Sequence, residues 1–229
     1  MKIISESLGR IVYIIRTDEV YPRKGVDIPT ILDWIKDRYH FRRQTDLSQS
    51  PDPATKSNGI RFHDGVIVLD EVSLTILDFT LYADGLVVTA RNTDTSEAFL
   101  RDFLAAAAEH YEFRLEEVLK KRPLFLSELI VEFEGEFDSV IKNFEQISGQ
   151  LNEALASTYG LSQPTRLWGV TFDFDKTTIP PPNSNLGRFQ IERREGVPHT
   201  DRRYFARAPF RTSDHVRLLI GIEKAVQQP

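Results

Sequence analysis

The chain has 229 residues, no cysteine, and a formal charge of −5 from 29 basic and 34 acidic side chains. Disulfides, zinc-thiolate sites, iron–sulfur clusters and cysteine nucleophiles are therefore excluded together, and the acidic balance argues against polyanion binding by the surface as a whole. With 41% hydrophobic residues and 15 Phe, the chain carries enough apolar surface to offset its conformational entropy. It does so either as one compact domain over 1–229 or as two intimately packed pseudo-repeats, 1–115 and 116–229.

Met1 to Glu6 lacks the apolar run and small-residue cleavage site of a signal peptide. The longest apolar stretches, Ile11 to Ile15 and Val66 to Leu69, fall far short of the ~20 residues that a membrane span needs. A soluble, cytoplasmic protein with no membrane contact is expected.

In chain order, Ile11 to Ile15 is a β-branched run suited to a buried strand. Asp27 then reads as an N-cap with Pro29 in the first turn, and Ile28, Ile31, Leu32, Ile35 and Tyr39 share one helical face. Gln44 to Asn58, rich in Asp, Ser, Pro and Thr, reads as an exposed loop of unusual length and a candidate contact segment. Asp64-Gly65 and Asp84-Gly85 are flanked by alternating residues, as in two-residue type I′ hairpins, which predicts a β-meander over 59–91. The parity of its apolar residues switches between Val72-Leu74-Ile76 and Leu77-Phe79-Leu81, so a bulge is expected near 76–77. Thr95 or Ser96 is expected to cap a helix running to Tyr111, with Phe99, Phe103 and Ala106 inward.

The second half begins with a strand over 124–133. A long helix follows, in which Val140, Phe144, Ile147, Leu151 and Leu155 form a stripe expected to face the core, with Gly160 at its C-cap. Strands are expected at 167–174, 188–195 and 204–208. A final helix capped by Thr212 or Ser213 presents Val216, Leu219, Ile222 and Val226 on one face. Both halves thus read strand, helix, about three strands, helix, and Thr95-Ser96-Glu97 parallels Thr212-Ser213-Asp214. The fold class expected is α+β, a largely antiparallel sheet with helices on one face, built from a possible duplicated βαβββα unit.

Two stretches bear on chemistry. Val170-Thr171-Phe172-Asp173-Phe174-Asp175-Lys176-Thr177-Thr178-Ile179 resembles the first motif of haloacid-dehalogenase-like phosphatases. The resemblance implies Asp173 as nucleophile and Asp175 as general acid/base, with magnesium, on a core of repeated strand–helix units. Only 50 residues follow Ile179, they read as hairpins and one helix, and Pro180 to Pro182 interrupt the motif's continuation. Strict alternation gives the other reading, an amphipathic strand with Val170, Phe172 and Phe174 inward and Asp173 and Asp175 outward. No catalytic residue, metal or cofactor is assigned.

The second stretch is basic. Between Leu186 and Arg217, eight arginines face Glu192, Glu195, Asp201 and Asp214, a balance of +4. Arg193, Arg194, Arg202, Arg203, Arg207 and Arg211 are the candidate binding residues, because guanidinium binds phosphate or carboxylate bidentately and stacks on aromatics such as Tyr204, Phe205 and Phe210. Arg193, Arg203 and Arg207 are expected on one face. The alternative is internal pairing with the acidic residues of 128–153. The five histidines have no ligand spacing, and neither a Gly-x-Ser-x-Gly elbow nor a glycine-rich phosphate loop occurs. The function expected is that of a non-enzymatic interaction protein that contacts a protein partner through its sheet or long loops; nucleic-acid or polyanion binding through 186–217 is the alternative.

Overall fold

The computed structural model describes residues 1–15, 20, 27–44, 59–82, 84–114, 118, 121–135, 144–160, 166–173 and 186–227. Strand β1 (Lys2–Ile14) is longer than its apolar run, because only one of its faces is covered. Ile11 and Ile15 are buried while Ile14 stays 40% exposed. Helix α1 (Ile28–Arg38) follows, with Asp27 at its N-cap and proline in its first turn. Asp27 makes no side-chain bond to the helix backbone; its carboxylate accepts instead from the Thr30 hydroxyl. Ile31, Leu32, Ile35 and the following Tyr39 are buried as the periodicity requires.

Next come β2 (Arg43–Gln44), β3 (Ile60–Leu69), β4 (Val72–Tyr82) and β5 (Gly85–Ala90). The meander is present, but its first turn is not at Asp64-Gly65. That pair lies inside β3, and the chain reverses at Asp70-Glu71, both with positive φ (48° and 66°). Asp64 also has a positive φ, of 56°, and Gly65 gives way to the Phe41 ring, which a Cβ would meet at 2.3 Å. The Asp-Gly signature here marks a strand irregularity beneath an aromatic ring rather than a turn. The second reversal lies between Tyr82 and Gly85, which face each other across the ladder. The register shift between Ile76 and Asp78 is the bulge that the parity switch demands. Residues 45–58, most of the expected loop, lie outside the described residues; Gln44 belongs to β2.

Helix α2 (Thr93–Tyr111) starts earlier than expected. Its N-cap is Asn92, whose side chain accepts from the Thr95 N–H at 2.8 Å, so Thr95 and Ser96 lie within the first turn. The second half comprises β6 (Leu124–Glu132), α3 (Phe144–Tyr159), β7 (Gly169–Phe172), β8 (Phe189–Arg193), β9 (Arg203–Ala208) and α4 (Thr212–Gln227). Gly160 ends α3 at φ 66°.

The nine strands among the described residues join one antiparallel sheet in the order β2-β3-β4-β5-β1-β6-β9-β8-β7. Outward from the central β1–β6 pair, the order reads β5-β4-β3 on one side and β9-β8-β7 on the other. Gly9 faces Ser127 at the centre of this arrangement. On one side Ile11, Val88, Phe79 and Phe62 stand in register across four strands, all at most 1% exposed. Phe99 and Phe103 of α2 and the residues of α1 cover this row, with Trp34 and Phe103 6.2 Å apart. On the other side Leu129, Ala206 and Ile191 form the corresponding row beneath Leu219 of α4. Each fully buried Phe, Leu or Ile contributes roughly 1.5–3 kcal/mol, which is why α1, α2 and α4 share this face; the other is open among the described residues.

Candidate functional site

The arginines of 188–217 separate according to strand register. On the open face, Arg207 stands opposite Glu128 and Arg203 opposite Glu132. Arg207 Nε lies 2.8 Å from Glu128 Oε1, and Arg203 Nε 3.2 Å from Glu132 Oε2. Arg207 also covers the Phe205 ring at 5.7 Å. The acidic partners come from β6, and Arg188 similarly holds Asp173 at 2.8 Å. Cross-strand pairs this exposed contribute about 0.2–1 kcal/mol each. They also lower the positive field that the strands present to solvent.

Arg193 is not on that face. The register sets it opposite Tyr204 on the helix side, where it is 5% exposed. Its guanidinium lies 5.2 Å from the Tyr204 ring and donates to the carbonyls of Leu167 (3.2 Å) and His199 (3.3 Å). It thereby ties the entry of β7 to the turn at His199–Asp201, a structural task. Arg202 adopts φ 51° at the end of that turn and donates to the Glu134 carbonyl. Arg211 reaches the other half of the molecule, pairing with Glu97 at 3.0 Å over the Phe125 ring. Arg194 is exposed. The six candidates therefore do not converge on one site.

The described part of the phosphatase-like stretch, residues 170–173, lies at the β7 end of the sheet. Val170 and Phe172 of β7 pair with Ile191 and Phe189 of β8 in antiparallel register. This differs from the strand–helix core that the resemblance implies. Asp173 is exposed and bound to Arg188; Phe174 and Asp175 lie outside the described residues. Among the described residues, no group of three or more acidic or histidine side chains is placed to hold a metal ion.

This edge exposes large apolar side chains, as does the β3–β4 turn with Val68 at 61% and Val72 at 57%. Phe172 is 58% and Trp168 54% exposed. Two residues of the α3 stripe expected to face the core are exposed as well, Ile147 at 49% and Leu151 at 51%, as is Tyr159 at 71%; Leu155 is half-buried, and Val140 and the Phe144 side chain lie outside what the structure describes. In α1, by contrast, Ile31, Leu32, Ile35 and the following Tyr39 are buried to 6% or less, and of that stripe only Ile28 is partly exposed. Periodicity reports that a helix has an apolar face and is silent on what covers it.

A buried polar cluster at the sheet centre left no sequence signal. The N-termini of α2 and α4 meet there, and Thr93 N–H donates to Thr212 Oγ1 (3.0 Å) while Thr212 N–H donates to Thr93 Oγ1 (2.8 Å). Thr212 is thus paired with Thr93 and not with Thr95. One turn further, Ser96 donates to the Gly9 carbonyl at 2.9 Å, and His215 Nδ1 lies 2.8 Å from Ser127 Oγ. His215 is fully buried, and burial pushes its pKa down to about 4. With Ser127 also 0% exposed, the pair is sealed from substrate and reads as structural. Only the long-range pairing of β1 with β6 brings these residues together. The chain matches no protein-family model and no curated protein sequence.

Proposed function

We propose that the protein is a non-enzymatic interaction protein that contacts a protein partner through the β7 edge of its sheet and the exposed apolar face of α3. One observation carries this reading: five large apolar side chains, Ile147, Leu151, Tyr159, Trp168 and Phe172, are each about half exposed or more. Exposed apolar surface of this kind is characteristic of a contact surface. Among the described residues β7 is the last strand of the sheet, with none paired to its outer side, and such an edge accepts a further strand. The test is co-purification of a partner from the native host with wild-type protein and with a Leu151→Asp, Phe172→Asp double variant. Loss of the partner with an unchanged thermal midpoint supports the reading, and retention by the variant opposes it.

A further inference from the structure

A second concave feature lies far from that edge, between α2 and the central strands. It holds about 410 Å³, within the range of roughly 300–1,000 Å³ typical of small-molecule sites. Its walls are Ile11 of β1, Leu100 and Leu104 of α2, and Phe125 of β6. Glu97, Leu100, Arg101 and Leu104 recur at spacings of three and four, so one stripe of α2 supplies both an apolar wall and a charged rim. Glu97 and Arg101 line the cleft, and Arg211 lies next to it over the Phe125 ring; one carboxylate oxygen, Glu97 Oε1, serves both guanidinium groups, Arg211 at 3.0 Å and Arg101 at 3.4 Å. Among the described residues this triad is one positive charge in excess, and each guanidinium keeps further N–H groups beyond the one directed at Glu97. Tyr13, also lining the cleft, is held in its neutral, donating form by burial and by the nearby Glu97.

We propose that this cleft binds an amphipathic monoanion, an aliphatic carboxylate of medium chain length, with its carboxylate on Arg101 and Arg211 and its chain against Ile11, Leu100, Leu104 and Phe125. The apolar walls reward the chain by area buried. The unbalanced arginine pair selects the sign of the head group, which a purely apolar groove would not do.

The probe is decanoate below its micellar concentration, followed by methyl NMR and calorimetry on the full chain, with decyltrimethylammonium as the control of opposite charge. Saturable binding is expected, with shifts confined to the methyls of Ile11, Leu100 and Leu104. Arg101→Glu, at a side chain 79% exposed and so free of folding consequences, should weaken decanoate about tenfold, the scale of one charge-assisted hydrogen bond. Leu104→Phe, which fills the cleft, should weaken it as well. The proposal is overturned if decanoate does not saturate, if the cation binds equally well, if Arg101→Glu changes nothing, or if the shifts fall on Ile147 and Leu151 instead.

Discussion

Lowering the pH should destabilise this protein through one residue, His215. Its ring is fully buried in the first turn of α4, edge-on to Phe189 with centroids 6.0 Å apart, and bonded through Nδ1 to Ser127. Nε2 has no hydrogen-bond partner among the described residues, so a proton there would enter an unsolvated site. The folded pKa is about 4 against 6.5 for the free side chain. Because the folded value is the lower one, the unfolded chain takes up the proton first as pH falls. The stabilisation is complete above pH 6.5, is lost progressively between 6.5 and 4, and is exhausted below 4. In full the loss is about 3 kcal/mol, of which about 2 kcal/mol falls between pH 7.5 and pH 5. Urea unfolding at a series of pH values, on wild type and on His215→Asn, isolates this contribution because carboxylate titrations are common to both proteins. The wild type should lose about 2 kcal/mol more than the variant between pH 7.5 and 5. Parallel pH profiles for the two proteins would refute the burial argument.

Replacing Ile147 and Leu151 together by alanine should cost less than about 1 kcal/mol in urea, since both are half exposed and alanine favours helix; a packed stripe would lose about 2–5 kcal/mol at each position. Gly9→Ala should cost about 3 kcal/mol or prevent folding, because its Cβ would lie 2.1 Å from the Thr93 nitrogen at the crowded start of α2; a midpoint equal to wild type would contradict that packing. On heparin the protein should elute at low salt, and Arg203→Ala with Arg207→Ala should shift the elution little, since both arginines already hold Glu132 and Glu128. Strong retention lost in that variant would favour the polyanion reading instead.

Local signals carried much of the fold. The apolar faces of α1 and α2, the bulge beside Ile76, the strands flanking Asp84 and the start of α4 follow from periodicity and parity within a few residues. The misplacements have a common physical origin. Asp64-Gly65 satisfies the chemistry of a turn and of a left-handed residue inside a strand equally, and the Phe41 ring on Gly65 goes with the second. Asn92 outcompetes Thr95 as a cap because β5 ends at Ala90 and fixes where α2 begins. Arg193 looks like a surface cation until the pairing of β8 with β9 turns it toward Tyr204. The Thr93, Thr212, Ser127 and His215 cluster depends on contacts between residues about a hundred positions apart, which local sequence does not encode. The exposure of α3 was invisible for the same reason, since its pattern is that of any amphipathic helix.

Site-specific photo-crosslinking in the native host tests the contact through α3 and β7 most directly. A photoreactive residue at position 151 or 172 should give one discrete protein adduct, the same from both positions, while the same probe at Glu109, an exposed residue of α2, gives none. Absence of any adduct from 151 and 172, or an equal adduct from 109, would contradict a partner surface on α3 and β7.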